Sequence, residues 1–443
     1  FNVSNKLQLP ILLNTLGNIF YKGELSGFVN DFVAYGKLKT DLGSIESDAK
    51  IKFDTIENKT FIKGNIALSN FFIGKVINAN PLIGYVSMNA SVDAFVKKNG
   101  FNAKFIGLFQ SLDFNHYTYK DIKVDAIVNE RMFDGSLKLY DPNINLDFLG
   151  KIDYSTKEPV FNFMADVKQA KLNELHFLPQ DSNIELSFLL DSKIKGDNPD
   201  NMNGIIDIYQ LKYKHNAIYS ESNNIQLSLK QDLMQKNISF KSDFANFNLF
   251  GKFQFNDFLY YIQQELEPFM PSLSFVNIPK HFKADADFNI HADLKLMSYK
   301  GFIRDFLPWL FIADNSTINI DINKTERLKI KLFSDSINLS GLSLDSLQIK
   351  MIVQNEKLIT EWTGAKFYLS KDIALNKPKV KIYTSNNINE VFLSWERNDS
   401  LVGDGEIAAN ANLFFEDKKF KANIAFNPSR INFNQLEWYL NDG

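Results

Sequence analysis

Between Tyr119 and Leu172 the chain alternates apolar and polar residues over four successive runs. Successive side chains of a β-strand point to opposite sides of the sheet, so each run has one apolar and one polar side. Turn-forming residues interrupt the runs at Asp141-Pro142-Asn143 and near Pro159. The pattern predicts four antiparallel strands in a meander, all with the same side apolar. The apolar positions are Ile122, Val124, Ala126 and Val128; Phe133, Gly135, Leu137 and Leu139; Ile144, Leu146, Phe148, Gly150 and Ile152; and Phe161, Phe163, Ala165 and Val167.

The same alternation recurs along most of the chain, from Phe32 to Phe426, and predicts about two dozen strands. In two places the apolar period changes to three and four residues, which predicts short helical insertions near 257–270 and near 300–312. The stretch from Leu9 to Tyr21 fits either a short helix or a buried strand. The sequence therefore predicts an all-β protein with two or three short helices.

Composition excludes several classes of function. The 443 residues carry 49 basic and 52 acidic side chains, which gives a net charge of −3. A nucleic-acid-binding protein usually has an excess of basic residues, so this charge argues against that class. The absence of cysteine excludes a disulfide framework, a thiolate nucleophile and a cysteine metal site. Phenylalanine is abundant, with 41 Phe against 16 Tyr and 4 Trp. Because Phe has no polar group, this bias favours an apolar interior or lining over a recognition surface.

No catalytic constellation stands out. The sequence contains no Gly-rich phosphate loop, nucleophile elbow or zinc-protease helix signature. Among the scattered histidines, His281 and His291 flank Asp285, Asp287 and Asp293, and alternation places some of these on one strand face. A solvated polar face is the preferred interpretation of that group over a metal site. We therefore expect a protein that is not an enzyme, with no metal and no cofactor.

An apolar side shared by so many strands needs a cover, and two or three short helices are too few to supply it. A β-sandwich covers such a side with a second sheet. A membrane barrel presents it to lipid. A sheet folded into an open groove lines the groove with it and receives acyl chains there. Alternation alone does not choose among these three architectures.

Four stretches narrow the choice by their order and spacing: GFVNDFVAYGKLKTDLGSIESDAKIKFD, FIGKVINANPLIGYVSMNASVDAF, FDGSLKLYDPNINLDFLGKIDY and SDFANFNLFGKFQFNDFLYYIQQELEPFMPSL. They resemble the TamB (translocation and assembly module) proteins of Bacteroidota, which belong to the AsmA-like superfamily. The match extends through essentially the whole chain. The element D-P-N-x-x-L-x-F-x-G-x-I-D, from Asp141 to Asp153, is its most specific part.

The resemblance implies a long, curved antiparallel sheet folded into an open groove (a β-taco), continuous over residues 1–443. It implies a periplasmic protein that is tethered to the inner membrane and reaches an outer-membrane barrel of the TamA or assembly-machine class. In that family the groove is thought to conduct phospholipid between the two membranes and to support outer-membrane assembly and protein secretion. The chain begins with Phe1 in mid-pattern, so we expect a middle segment, with the membrane anchor and the C-terminal domain outside it.

The family implies no catalytic residues; the residues that carry over are those of the apolar lining. They would contact the acyl chains of phospholipid, and no nucleic acid is expected as a partner. The alternative function is a structural β-sandwich array or adhesin, in which the same residues are core. The expected lining residues are Val86, Met88, Val124, Leu137, Leu139, Leu146, Phe148, Phe163, Phe253, Ile320, Ile349 and Leu413.

Overall fold

Strands dominate the structure, a computed structural model, and every recorded strand pair is antiparallel. The described residues contain 28 strands, two short α-helices and one 3₁₀ turn, which confirms the predicted all-β fold with few helices. The chain divides into two compact units: unit 1 (Phe1–Asp197 and Ile206–Glu221) and unit 2 (Asn198–Ile205 and Ser222–Gly443). The structure describes residues 15–54, 56–77, 79–97, 100–179, 183–232, 235–272, 276–279, 282, 287–298, 301, 303–304, 307, 309–339, 341–370, 373–397, 402–416, 419–433 and 435–441.

Unit 1 is an antiparallel meander in which strands β1 to β11 each pair with the next strand along the chain. Helix α1 (Ile73–Val76) lies in the connection between β4 and β5. Strands β12 (Asn203–His215) and β13 (Ile218–Gln231) contribute residues to both units. The strands of the meander are β1 (Phe20–Phe28), β2 (Asp31–Thr40), β3 (Gly43–Asp54), β4 (Lys59–Phe72), β5 (Ile83–Lys97), β6 (Gly100–Phe114), β7 (Tyr117–Asn129), β8 (Met132–Asp141), β9 (Ile144–Asp153), β10 (Val160–Lys171) and β11 (Ile184–Lys195).

Unit 2 continues the antiparallel pattern with four short strands added beside the main ladder. The ladder runs β13–β14–β15–β16–β18–β19–β20–β21–β23–β24–β25–β26. Strand β17 pairs with β19, β22 pairs with β20 and β23, and β27 pairs with β25 and β28. The elements are β14 (Lys236–Ser242), β15 (Ala245–Lys252), a 3₁₀ turn (Phe255–Asp257), α2 (Phe258–Leu266), β16 (Asn289–Leu296), β17 (Leu310–Ile312), β18 (Thr317–Asn323), β19 (Arg327–Leu339), β20 (Leu342–Gln354), β21 (Lys357–Thr363), β22 (Lys366–Tyr368), β23 (Ala374–Ser385), β24 (Ile388–Glu396), β25 (Val402–Glu416), β26 (Lys419–Phe426), β27 (Ser429–Phe433) and β28 (Leu436–Leu440).

Three of the hairpins turn on two residues that both have positive φ. These pairs are Asn115-His116, Asn355-Glu356 and Asn386-Asn387. Two positive φ values define a type I′ turn, whose twist matches that of the flanking strands, and Asn tolerates this conformation better than most residues. His116 is therefore a turn residue of the β6–β7 hairpin.

The helical predictions have different outcomes. The 3₁₀ turn and α2 lie at the predicted position near 257–270. In the predicted range 300–312, residues 303 and 304 are helical and 310–312 form β17, while 300, 302, 305, 306 and 308 lie outside the described residues. Of the Leu9–Tyr21 stretch, residues up to 14 also lie outside them, and Phe20 begins β1.

Candidate functional site

The register of unit 1 aligns apolar residues into continuous rows that cross the sheet. Cross-strand partners lie on the same side of a sheet, so a chain of partners defines one row. We call the side that carries the following row the apolar face of unit 1. The row crosses all eleven strands without a charged residue: Tyr21, Leu38, Ile45, Leu68, Met88, Phe109, Ile122, Leu139, Leu146, Val167 and Phe188.

Small residues are frequent in the neighbouring rows of this face. One row, two residues along from the first, reads Gly23, Gly36, Ser47, Ile66, Ala90, Gly107, Val124, Leu137, Phe148, Ala165 and Leu190. In the row beyond it, Gly150 has φ +141°, and a Cβ there would lie 2.4 Å from the Cα of Phe163. Only glycine permits so close an approach, which lets the sheet bend locally.

The large side chains of the apolar face of unit 1 remain partly exposed. Phe148 and Phe163 are half-buried, with ring centroids 5.1 Å apart, and Phe133 is also half-buried. The most buried positions beside them are the small residues Ala126 and Ala165. A second packed layer would bury the large side chains most completely, whereas here their own neighbours in the sheet supply the burial. This part of the face therefore keeps accessible apolar surface.

The opposite side of unit 1 is exposed and carries charged residues, with exposed apolar side chains such as Ile106, Leu149 and Met164 among them. Cross-strand ion pairs lie on it, with Nζ–O distances of 2.6 Å for Lys37–Glu46 and 2.8 Å for Lys63–Asp93. Exposed pairs of this kind contribute about 0–1 kcal/mol each to stability. They therefore identify the solvent side of the sheet and add little to its stability.

One end of the apolar face of unit 1 is covered by the unit's own connections. Leu175, in the connection between β10 and β11, is completely buried against Tyr119, Ile122 and Leu139. The Nδ2 of Asn115 donates to the carbonyl oxygen of His176 at 3.1 Å, which holds this connection to the β6–β7 hairpin.

The connection that contains α1 covers the neighbouring part of the same end. Ile73 and Val76 of α1 pack on a buried cluster that includes Leu68, Phe71 and Val86. Leu68 and Ile122 belong to the same row across the sheet. The two connections therefore cover adjacent parts of one end of the face.

The buried carboxylate of Asp141 has hydrogen-bond partners at this covered end. Asp141, 7% exposed, accepts hydrogen bonds from the hydroxyl of Tyr117 at 2.5 Å and from the backbone N–H of Lys120 at 3.1 Å. Burial and the neighbouring Asp141 carboxylate raise the pKa of Tyr117 to about 12, so its hydroxyl stays protonated as a donor. The Asp141 carboxylate is thus satisfied within the covered end.

Unit 2 also has an apolar face, built in the same way. We call its middle row the central row; it crosses β16 to β25 and contains no charged side chain. All of its members except Val380 are half-buried. The central row is Leu294, Ile318, Leu332, Ile349, Trp362, Val380, Leu393 and Ile407.

Residues 255–272, which we call the α2 cover, pack on one end of the apolar face of unit 2. Tyr261 and Phe269 of the cover are 2% and 1% exposed. They belong to one buried cluster with Ile322, Leu328 and Leu358, which are 0–2% exposed. At this end the face is core.

Polar contacts fasten the C-terminal part of the α2 cover to the sheet. Arg327 Nε donates to Glu265 Oε2 at 2.9 Å, and the Arg327 guanidinium carbon lies 5.0 Å from the Phe269 ring centroid. The backbone N–H of Asn387 donates to Phe269 O at 2.8 Å, and its side chain exchanges hydrogen bonds with Ser272 at 2.8 and 3.0 Å. Two hairpin turns, β18–β19 and β23–β24, therefore hold the cover.

A buried ion pair fastens the N-terminal end of the α2 cover, at Phe255. Asp200 accepts hydrogen bonds from Lys236 Nζ and from the backbone N–H of Phe255, the latter at 2.5 Å. Lys236 also donates to Gln254 Oε1 at 3.2 Å, and its Nζ lies 5.7 Å from the Phe253 ring centroid. Burial raises the pKa of Asp200, but the hydrogen bonds from Lys236 and Phe255 lower it by more, so it lies below its ordinary value of 3.8.

Register and alternation place the expected lining residues on the two apolar faces, eight in unit 1 and four in unit 2, with Phe253 just past the end of β15. Val86, Leu139 and Phe253 are buried under the covering connections, at 2%, 5% and 3% exposure. These three are core positions. The other nine are half-buried: Met88, Val124, Leu137, Leu146, Phe148, Phe163, Ile320, Ile349 and Leu413.

The histidine–aspartate group lies on the polar side of unit 2. His291 contacts Asp293 Oδ2 through Nε2 at 2.8 Å and Asp321 through Nδ1, so its two ring nitrogens face different carboxylates. Asp287 pairs with Lys252, while His281 and Asp285 lie outside the described residues. Among the described residues no group of three or more His, Asp or Glu is arranged to hold a metal ion.

Sequence reasoning missed the residues that position the α2 cover. Asp200 lies in a polar loop, and Asn387 and Arg327 lie in or next to hairpin turns, where charged and amide residues are ordinary. One signal was present: the apolar spacing of Phe258, Tyr261, Ile262, Leu266 and Phe269 indicates a helix with a face to bury.

None of the described helices has the length and apolar character needed to cross a membrane. No protein-family model matches the sequence, and comparison with curated proteins and with solved structures finds no significant similarity.

Proposed function

We propose that the apolar faces bind the hydrocarbon chains of phospholipids and that the protein conducts phospholipid between the inner and outer membranes across the periplasm. The observation that carries the proposal is the uncharged row beside the covered one, from Ile66 on β4 to Leu190 on β11, whose large members are half-buried. A row without polar side chains offers a hydrocarbon chain apolar contacts at each strand from β4 to β11.

The energetics favour such a surface for lipid. Burial of a methylene group is worth about 0.8 kcal/mol, so a sixteen-carbon chain costs ~12 kcal/mol to expose to water. A continuous apolar row lets the chain move from strand to strand without that exposure. The headgroup stays in solvent, which is consistent with the nearly neutral net charge of −3.

The cellular setting is part of the same proposal and rests on the TamB resemblance. The protein is a periplasmic groove, tethered to the inner membrane through a segment outside this chain and docked on an outer-membrane barrel of the TamA or assembly-machine class. It supports outer-membrane assembly and catalyses no reaction. Its partners are lipid and protein, with no nucleic acid among them.

Lipid analysis of the purified chain tests the proposal. We expect phospholipid to copurify and to be detected by mass spectrometry after organic extraction. Leu137→Asp places a carboxylate among half-buried apolar residues and should reduce the bound lipid several-fold, because a charge in an apolar site is strongly disfavoured. Ser136→Asp, on the polar side of the same strand, is the matched control and should bind lipid normally.

A structural protein is the second candidate, and the buried clusters favour it. Ile322, Leu328 and Leu175 are 0–2% exposed, as expected of an ordinary core. A structural array predicts a lipid-free purified protein, with Leu137→Asp changing only the stability. Lipid in the unsubstituted chain that disappears in Leu137→Asp but not in Ser136→Asp, with circular dichroism unchanged, contradicts the structural candidate.

A further inference from the structure

Strand β1 forms an edge of the sheet in unit 1. Among the described residues it pairs only with β2, and every one of its own residues is exposed. The exposure includes large apolar side chains, with Phe20 at 73%, Leu25 at 63% and Phe28 at 80%. An edge strand presents unpaired backbone N–H and C=O groups, to which a further strand can bond.

The described residues just before β1 lie beside β2 and β3. The backbone N–H of Asp41, at the β2–β3 turn, donates to Leu16 O at 3.1 Å, and the backbone N–H of Asn18 donates to Asp41 Oδ2 at 3.0 Å. Leu16 is buried in one cluster with Leu42 and Phe71. These residues therefore approach β1 from the side of β2 and do not occupy its other edge.

The register of the β1–β2 hairpin determines which backbone groups of that edge are available. Its two-residue turn, Val29-Asn30, makes Phe28 and Asp31 a hydrogen-bonded pair, and bonded pairs alternate with non-bonded pairs along an antiparallel ladder. A partner strand must bond to the residues whose N–H and C=O groups point away from β2. These residues are Tyr21, Gly23, Leu25 and Gly27.

Two charges on β1 have no opposite charge facing them on β2. Lys22 lies opposite Lys37, which itself pairs with Glu46 at 2.6 Å. Glu24 lies opposite Tyr35. Like charges on facing residues of neighbouring strands are destabilising, whereas opposite charges stabilise the strand pair. A partner strand that presents a carboxylate to Lys22 and an ammonium group to Glu24 therefore fits this edge.

We infer that β1 pairs antiparallel with β1 of a second copy of this chain, about a two-fold axis at Gly23. In this register Lys22 lies opposite the partner's Glu24, and the symmetry repeats that contact on the other side of the axis. Tyr21, on the apolar face, lies opposite the partner's Leu25, and the two residues exchange backbone hydrogen bonds. The inference goes beyond the proposed function and does not depend on it.

Other pairings of this edge with a second copy leave its charges unsatisfied. An axis at Lys22 or at Glu24 places two like charges directly opposite each other. An axis at Leu25 places Lys22 opposite the partner's Phe28 and Glu24 opposite the partner's Ser26, so neither charge gains a partner. A one-residue shift would require bonds from backbone groups that already pair with β2. The Gly23 register is therefore the self-complementary one.

Disulfide crosslinking of the full chain tests the register. The sequence contains no cysteine, so Lys22→Cys and Glu24→Cys each introduce a single thiol. In the inferred dimer these two positions face each other with Cα atoms about 4.5 Å apart, within the range of a disulfide. Two copies of the same variant place their thiols on a diagonal of about 7–8 Å, beyond that range. A mixture of the two variants should therefore crosslink at least tenfold faster than either variant alone.

A third variant controls for random collision. Lys50→Cys lies on β3, where the lysine side chain is 57% exposed. Its mixture with Glu24→Cys should crosslink no faster than Glu24→Cys alone. If Lys22→Cys or Glu24→Cys crosslinks with itself as fast as the mixture does, the inference is overturned, because the axis then lies elsewhere or the contact is random.

Sedimentation velocity measures the association itself. One strand from each copy makes a small interface, below about 1,200 Å², so we expect a reversible dimer in the micromolar range. Lys22→Glu places a carboxylate opposite the partner's Glu24 and should weaken the dimer at least tenfold. Adding Glu24→Lys restores opposite charges and should bring the affinity back to within about threefold of the unsubstituted chain. Lys104→Glu, an exposed residue of β6 with the same change of charge, is the control and should not alter the affinity.

Three results of this measurement overturn the inference. The first is a chain that stays monomeric up to about 0.1 mM. The second is a series of larger oligomers, which indicates head-to-tail contacts that do not close. The third is a double variant that associates no more tightly than Lys22→Glu, since the charges would then not face each other.

Discussion

Replacing Asp200 by Asn removes the negative charge that fastens the N-terminal end of the α2 cover. The side chains of Lys236 and Asp200 are 11% and 17% exposed, so the pair is largely withdrawn from water. Asn preserves the shape of the side chain and keeps an oxygen that accepts the hydrogen bond from the backbone N–H of Phe255. The substitution thus leaves the lysine charge buried without its partner.

Breaking one partner of a buried ion pair costs about 3–5 kcal/mol. Both side chains of this pair keep some contact with water, and Lys236 keeps its bond to Gln254, so we expect the lower end, about 3 kcal/mol. Lys236→Met in the Asp200→Asn background removes the stranded charge. The double variant should therefore regain most of the lost stability.

Urea unfolding followed by tryptophan fluorescence measures this effect in the correct unit. All four tryptophans, Trp309, Trp362, Trp395 and Trp438, belong to unit 2, so the signal reports only the unit that contains the pair. A loss under 0.5 kcal/mol in Asp200→Asn, or a double variant no more stable than the single one, would refute the reasoning.

The pH dependence gives a second readout of the same pair. The pKa of Asp200 in the folded protein lies below 3.8, so its contribution to stability is present above the unfolded pKa and is lost as the pH falls through the lower folded pKa. The unfolding free energy of the unsubstituted protein should therefore fall more steeply below about pH 4 than that of Asp200→Asn. Parallel curves would contradict the assignment.

One substitution and one titration test the geometry elsewhere. Gly150→Ala should destabilise unit 1 by about 1–3 kcal/mol, because φ is +141° and the new Cβ meets Phe163; urea unfolding followed by circular dichroism measures it, and a change under 0.5 kcal/mol argues against the contact. Burial lowers the pKa of His291, but its bonds to Asp321 and Asp293 raise it by more, above 6.5. Its contribution is therefore present below the unfolded pKa and is lost as the pH rises through the folded pKa. NMR titration of His291 should give a midpoint above 6.5; a midpoint at or below 6.5 contradicts the contacts.

Periodicity predicted the strands well because alternation is a local property of the chain. The runs at Ile122–Val128, Phe133–Leu139 and Ile144–Ile152 fall inside β7, β8 and β9. On a sheet with one covered side, a side chain is apolar or polar according to the side it faces. Each residue type therefore indicates by itself which side of the sheet that residue faces.

The segments that cover each apolar face could not be predicted from alternation. Val86 and Phe148 look alike in the sequence, each one apolar residue in an alternating strand, yet one is 2% exposed and the other half-buried. The difference lies in α1 and its connection, which pack over Val86. Contacts of that kind join residues that no local pattern relates. For this reason the expected lining residues include both buried core positions and accessible positions.

The nearest-neighbour pairing of unit 1 has a consequence for how such a protein changes length. Among the residues that the structure describes, each strand from β2 to β10 pairs only with the strands before and after it, so one added hairpin extends the sheet by two strand spacings, about 10 Å. A two-strand insertion also preserves the direction of every later strand and the side on which its apolar residues lie. Duplication of hairpins is thus a simple evolutionary route to sheets of different length.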